Sequence, residues 1–413
     1  MTTSSPRLNP STVFVWVWLP DASEPVVAGR LDEQGEVATF AYGRRYLANP
    51  DAIALYLPDL PLTEGTMSPS SGNLHGCIAD AAPDSWGRKV IEHQHRRTDS
   101  NVPELGYLLN SGSDRIGALD FQASPTEYVA RSGDDATLDE LYDAARHVEE
   151  GLPLPPALDR ALLHGTSVGG ARPKVTLSDR SRHLIAKFSS STDRYPVVKA
   201  EYAAMELARR AGIDVAPVEL STAAGKAVLL VDRFDRTQRG LRRMMVSALT
   251  ILDLHDAWGM AGRHATYSDL AEQIRTRFVN PDATLRELFS RIVFNMLVSN
   301  TDDHAKNHSA FWDGNMLTLT PAYDICPQLR TGRETAQAMA YGADGERLSQ
   351  AARCVEHAST YHLSVSEANE IVNHHIEVIR DDWEEVCDLA QLAAADREQL
   401  WERQFLNPFT LGT

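Results

Sequence analysis

Apolar residues recur at Leu285, Leu288, Phe289, Ile292, Val293, Met296 and Leu297 in TLRELFSRIVFNMLVSN, a spacing that predicts a helix with one buried face. The pattern then stops at SNTDDHAKNHS, which is polar throughout. Beyond it, HSAFWDGNMLTLTPAYD reads as two short strands around the turn Asp313-Gly314-Asn315. A rigid helix thus delivers a polar loop to one place, and the hairpin carries Asp324 back beside it. Elsewhere FVWVWLP, PVVAGR and EVATFAY read as strands, and GDDATLDELYDAARHVEEG reads as a capped helix followed by a Pro-rich linker, LPLPP. RHLIAKF is an alternating strand, and PVVKAEYAAMELARRAG is a helix that opens on Pro and stops at Gly212. KAVLLVDRFDR is a buried strand that turns polar at Asp232. Late segments LSVSEANEIVNHHIEVIRDDWEEVCDLAQLA and AADREQLWERQFL are helical, with a cap at Ser364 or Ser366.

The polar loop places Asp302 five residues before Asn307, with Asp324 beyond the hairpin. Phosphoryl transfer from ATP needs a carboxylate to receive the acceptor's proton, and an Asn and an Asp to hold Mg²⁺ against the phosphates. Two carboxylates a few ångströms apart repel by about 4 kcal/mol at an effective dielectric of 20, so such a pair wants a divalent cation. Taken alone, Asp302, Asp303 and Asn307 read equally well as turn and capping residues. Upstream, HGTSVGGARPKVTLSD offers a glycine-rich turn at Gly169 and Gly170, whose backbone N–H groups can approach phosphate oxygens; Lys187 ends the next strand as a compensating charge. Glu201, in the first turn of the following helix, either pairs with Lys187 or faces solvent near the positive end of the helix dipole. In a kinase-like fold, Val231 to Phe234, including Asp232, mark the hinge where adenine meets the backbone. Glycine turn, strand lysine, helix and acidic loop occur in kinase order.

SVGGARPK, AKF, VDRFDR, NTDDHAKNHS and LTPAYD, in this order, resemble the HipA family of serine/threonine kinases, the toxin halves of bacterial toxin–antitoxin pairs. FAYGRRYLANPDAIALYLPDLPL, the region around ADAAPDSWGRKVI, and SDRIGALDF extend the likeness to the family's small N-terminal subdomain. The resemblance implies an α+β fold: a two-lobed, PI3/4-kinase-like core with a strand-rich N-lobe and a helical C-lobe, preceded by a mixed α/β subdomain. The corresponding boundaries are 1–124 for the subdomain, 125–160 for the helix and linker, 161–240 for the N-lobe and 241–413 for the C-lobe. It also implies Asp302 as catalytic base, Asn307 and Asp324 as Mg²⁺ ligands, Lys306 as the group that neutralises the transferred phosphoryl, and His304 as a support for the loop's shape. Nucleotide contacts would come from Ser167, Val168, Gly169, Gly170, Lys174, Lys187, Glu201, Val231, Asp232 and Phe234. Ser167 would be an autophosphorylation site that switches the kinase off. ATP and Mg²⁺ are the implied cofactors. The implied partners are a HipB-like helix-turn-helix antitoxin, through which alone DNA would be contacted, and an acceptor in translation such as an aminoacyl-tRNA synthetase. Three departures stand out: ARPK in the loop, which implies different loop contacts; MMVSALTILDLHDAWGMAGRHATYSDL before the catalytic helix, which implies different substrate docking; and DAAPDSW in place of a leucine-proline-glutamate-glycine turn, which marks a divergent subgroup.

Composition narrows this picture. A chain of 413 residues with 43% hydrophobic content can bury a large core in two or three lobes. A formal net charge of -17 argues against unaided nucleic-acid binding, which demands clustered Lys and Arg. Cys77, Cys326, Cys354 and Cys387 show no C-x-x-C spacing and read as reduced thiols, with Cys326 a small buried apolar group. No signal-like or membrane-length apolar run is seen, so a cytoplasmic protein without membrane contact is expected. His374, His375, Asp381 and Asp382 read as a solvated helix face rather than a metal site. Two rival functions are a metal-dependent phosphohydrolase or nuclease built on Asp302, Asp303, His304 and Asp324, and a non-catalytic kinase-like co-repressor. The first leaves Lys187 and the glycine turn unexplained. The second leaves the Asp302, Asn307, Asp324 and Lys187 set without a purpose.

Overall fold

The computed structural model describes residues 10–95, 102–132, 136–165, 172–179, 182–190, 192–255, 261–330, 332 and 334–412. The chain forms two compact units: Met1–Ser191 with Ser221–Val246 and Trp312–Asn315, and Thr192–Leu220 with Ser247–Phe311 and Met316–Thr413.

The first unit opens with strands β1 (Thr12–Val17), β2 (Val26–Gln34) and β3 (Val37–Tyr42), joined later by β4 (Leu119–Gln122), in the order β3-β2-β1-β4. Alternation puts Val13, Val15 and Val17 into the core with Leu31, Phe40, Leu119 and Phe121. A second sheet has β5 (Lys174–Asp179), β6 (Arg182–Phe188), β7 (Val218–Ala223) and β8 (Lys226–Asp232) in the order β5-β6-β8-β7. One face of it carries Val175, Ala186, Phe188 and Val228 into a core with Leu141, Ala144, Ala145 and Val148 of helix Leu138–Glu150. That helix begins with a capping box between Thr137 and Glu140 and ends on left-handed Gly151. The Pro-rich stretch after it leads into helix Pro156–Gly165, because proline is tolerated in a helix's first turn. Trp86, from the DAAPDSW departure, is buried in the same core and its indole N–H donates to the Lys174 carbonyl at 3.0 Å.

The second unit is mainly helical. Helix Pro281–Leu297 starts at a proline and buries far more than the expected stripe: Arg291, Phe294 and Asn295 are buried as well, as befits a central helix packed on several sides. Helix Tyr267–Arg277 and helix Val365–Leu389 pack against it, and helix Val197–Arg210 packs on the latter. Ser364 caps helix Val365–Leu389 in a box with Glu367, as the serine pattern suggested. His375 departs from the solvated face expected for it. It is buried, its Nε2 lies 2.8 Å from Ser290 Oγ, and burial pushes its pKa down to about 3, so it is a neutral core histidine. All four cysteines are free and buried. Among the described residues no helix is long and apolar enough to cross a membrane.

Candidate active site

The loop after helix Pro281–Leu297 leaves through Ser299, whose φ of 53° lies in the left-handed region. The Asn300 N–H still reaches back to the Asn295 carbonyl at 2.8 Å. Asp302 is exposed, while its neighbour Asp303 is only 2% exposed, so adjacent carboxylates point to opposite environments. Ala305–Asn307 forms a 3-10 turn closed by the Asn307 N–H on the His304 carbonyl at 2.8 Å, and it buries Asn307. Strands β9 (Met245–Ser247), β10 (Ser309–Trp312) and β11 (Leu317–Leu319) complete the strand set, β10 and β11 being neighbours in a small sheet. The expected turn lies between those two, with the Asn315 N–H on Asp313 Oδ1 at 2.8 Å and Gly314 at a φ of 100°.

Asp324 sits where the returning chain is pinned at Ala322, whose N–H donates to the Asp214 carbonyl at 2.7 Å and whose carbonyl accepts from Ala216 at 2.9 Å. Its φ of 60° is left-handed, a region Asp visits more readily than most residues. Tyr323 braces the loop: its hydroxyl donates to the Lys306 carbonyl at 2.6 Å and lies 2.6 Å from Ser309 Oγ. The Asp302 carboxyl is raised above the ordinary range, first by partial desolvation and then by the charges of Asp324 and Asp303, with His304 opposing. The second unit therefore gathers Asp302, His304 and Asp324 within electrostatic reach, with Asn307 closing the same turn.

Asp303 holds the loop down. Its Oδ2 accepts from Asn295 Nδ2 at 2.7 Å, from His308 Nε2 at 3.0 Å and from the Tyr267 hydroxyl. Burial works against its charge, but His308 and the Tyr267 hydroxyl overcome this and hold the carboxyl below the usual range. Sequence reasoning missed Asn295, His308 and Tyr267. The signal was faint: Asn295 is the polar residue inside an otherwise apolar helical run, and Tyr267 lies in the departing segment expected to alter substrate docking. The loop-shaping hydrogen bonds come from His308. His304 Nδ1 is buried and has no partner among the described residues.

In the first unit, Lys174 and Lys187 are cross-strand partners on β5 and β6, and Lys187 also faces Leu229 of β8. Strand alternation puts both lysines, with Thr176, Ile185 and Val231, on the face opposite the Phe188 core. Like charges placed opposite one another are unfavourable unless something negative accompanies them. Asp232 pairs across from Leu184 on the other face and forms an ion pair with Arg182 at 2.9 Å. The Arg233 N–H already donates to the His183 carbonyl at 2.9 Å, so that part of the expected hinge is spent within the sheet. Ser167, Val168, Gly169 and Gly170 lie outside the described residues. Glu201 is neither in a first turn nor solvent-facing. It is the fifth residue of helix Val197–Arg210 and 3% exposed.

The charged side chains of VDRFDR are committed to a network within the first unit. Arg233 reaches Asp114 at 2.9 Å and Asp235 at 2.8 Å, and Arg236 reaches the same two carboxylates at 2.8 and 2.9 Å. The Gly117 N–H donates to Asp235 Oδ2 at 2.8 Å, and both guanidinium groups donate to the Arg115 carbonyl. Within the first unit this fastens the segment before β4 to the end of β8.

The donor set fits magnesium and a nucleotide. Asn307 and Asp324 offer hard oxygens, and Mg²⁺ is commonly held by one or two carboxylates plus substrate phosphates. The rival two-metal reading fits poorly, because Asp303 is committed to three donors. Among the described residues, no group of three His, Cys, Asp or Glu gathers as metal ligands would.

Comparison with known proteins identifies the family and the fold. The family model HipA-like C-terminal domain matches residues 166–383, and the HipA N-terminal domain matches residues 17–122. The chain is 31% identical over 330 residues to Y4mE, a provisionally named kinase of Sinorhizobium fredii, covering 71% of this chain and 73% of that protein. It is 27% identical over 186 residues to the serine/threonine-protein kinase toxin HipA of Shewanella oneidensis, covering 38% of this chain and 42% of the toxin. HipA in the solved complex of Shewanella oneidensis HipA, HipB and operator DNA superposes with a TM-score of 0.67 at 19% identity, covering 93% of this chain and 97% of that one. The chain belongs to the HipA family. Its fold is α+β and kinase-like, as the sequence resemblance implied.

Proposed function

We propose that this protein is a serine/threonine protein kinase that moves the γ-phosphoryl group of ATP to a protein hydroxyl. The observation that carries the reading is the joint placement of Asp302 and Asp324, close enough that one raises the pKa of the other, beside a turn that buries Asn307. Asp302, exposed and more basic than an ordinary carboxylate, receives the proton of the acceptor hydroxyl. Asn307 and Asp324 hold the metal, and Lys306 lies beside the reacting group. From the strand-rich unit, Lys174 and Lys187 supply positive charge to phosphates, and Val231 and Phe234 supply backbone contacts to the base; by the family resemblance Glu201, carried by the second unit, would be the partner of Lys187. Bound Mg-ATP would contribute the phosphoryl group and the charge neutralisation that makes its transfer possible.

The Shewanella relative bears the name of a kinase toxin, and its structure was solved with HipB and operator DNA. By that likeness, the protein arrests growth in the cytoplasm, a HipB-like antitoxin neutralises it, and DNA is reached through that partner. An acceptor in translation and autophosphorylation at Ser167 belong to the same reading. The domain scheme of 1–124, 125–160, 161–240 and 241–413 goes with it. Asp302→Asn should lower transfer from labelled Mg-ATP by roughly 10²-fold to 10⁴-fold with the fold intact. Wild-type transfer by that variant would overturn the assignment.

A further inference from the structure

We infer that Asp303 is a positioning residue that registers the proton acceptor against the metal-holding Asp324, working through Asn295 and Asn300. The inference rests on the kinase reading above, but its structural part can be tested without it.

Asp303 lies directly after Asp302, and His308 directly after Asn307. Their 3.0 Å contact therefore closes the loop at a point next to each of the two reactive side chains. On the far side, Asn295 Nδ2 donates to the same Asp303 oxygen at 2.7 Å, while Asn295 Oδ1 accepts from Asn300 Nδ2 at 3.0 Å. Asn300 Nδ2 also approaches the Asp324 carbonyl at 3.4 Å. One uninterrupted set of buried side chains thus runs from the loop to the residue whose left-handed backbone aims its carboxylate. Asn295 is carried by the rigid central helix and Tyr267 by the helix packed on it, so two independent elements fix the Asp303 carboxylate. A carboxylate suits this place because all three neighbours donate to the one oxygen Oδ2, and its negative charge strengthens each of those bonds beyond what the neutral oxygen of an amide can offer.

A merely local packing role predicts lower stability and nothing more. Positioning predicts that Asp303→Asn lowers kcat in the folded protein by about 10-fold to 100-fold, since small misplacement of reacting groups is costly. KM for ATP should change by less than about threefold, because most of the nucleotide contacts proposed above, Lys174, Lys187, Val231 and Phe234, are not members of this network. Tyr267→Phe removes one of the three donors and should give a smaller loss in the same direction. It also serves where Asp303→Asn does not fold.

Hydrogen exchange followed by mass spectrometry gives a readout independent of activity. Asp303→Asn, or Tyr267→Phe in its stead, should speed exchange in the peptide covering 299–309 and also in that covering 320–326. Faster exchange confined to 299–309, or wild-type kcat in the folded variant, would overturn the inference. A wild-type protein that transfers no phosphate would remove the kinase reading, while exchange at 320–326 would still decide whether Asp303 and Asp324 are coupled.

Discussion

Around Asp303 a single buried carboxylate is shared by an amide, a hydroxyl and an imidazole, whereas around Asp114 and Asp235 two carboxylates face the guanidinium groups of Arg233 and Arg236. Both networks fix an irregular segment. The first lies beside exposed Asp302 and uses one formal charge with directional donors, so it sets an orientation. The second uses multidentate charge pairing to weld the segment before β4 to the end of β8, and further buried cations lie beside it: Arg115, paired with Asp120 at 2.8 Å, and Arg242 are both depressed to about 10, chiefly by burial. Arg242 offsets part of that cost by stacking 3.7 Å from the centre of the Trp18 ring. Buried polar groups in this chain thus divide into those that aim chemistry and those that hold covalently distant segments together.

The largest effect should come from breaking the charged network. Asp235→Ala takes from two buried guanidinium groups one of the two carboxylates they share, leaving them Asp114, and should cost about 3–5 kcal/mol in urea unfolding, the usual consequence of removing one partner of a buried ion pair. A loss under about 1 kcal/mol would show that the network is not what welds the unit. Acid should sharpen the contrast next. Asp235 is lowered to about 2 from 3.8, with Arg233 and Arg236 overcoming its burial, and Asp120 is likewise lowered to about 2. Depressed carboxyls contribute stability that is present above the unfolded value and lost as pH falls toward the folded one. The first unit should therefore weaken between those pH values, measured by acid unfolding of the wild type against Asp235→Asn.

Asp302 runs the other way. Its folded pKa is raised, so protonation favours the folded state as pH falls, but it removes the proton acceptor. The acid limb of kcat/KM should accordingly lie above that of an ordinary carboxylate, and Asp302→Asn should abolish that limb. The smallest effect serves as a control outside both networks. Thr137→Ala removes the cap of helix Leu138–Glu150 and should cost about 1 kcal/mol in thermal unfolding, with kcat unchanged.

Much of the scaffold was legible because it rests on local rules. The apolar periodicity before Asn300, the Asp313-Gly314-Asn315 turn, the Ser364 box and the end of β8 at Asp232 each follow from neighbouring residues along the chain. Burial of polar residues was not legible. His375 read as solvent-facing because it is a polar residue on an amphipathic helix, and packing against Ser290 of the central helix covers it; for Glu201 a solvent-facing place was one of two open readings, and it is buried. The partners of the VDRFDR side chains were not legible either, since its two arginines and Asp235 are committed to residues more than a hundred positions earlier.

What the sequence determined by itself is therefore the order of the elements and the chemistry available in the loop from Asp302 to Asn307, since backbone propensity and side-chain type act over a few residues. Which of two adjacent aspartates is exposed and which is held by Tyr267, Asn295 and His308 was decided by tertiary structure alone. The physical reason is that a buried carboxylate persists only where distant donors converge on it, and convergence is a property of the folded chain.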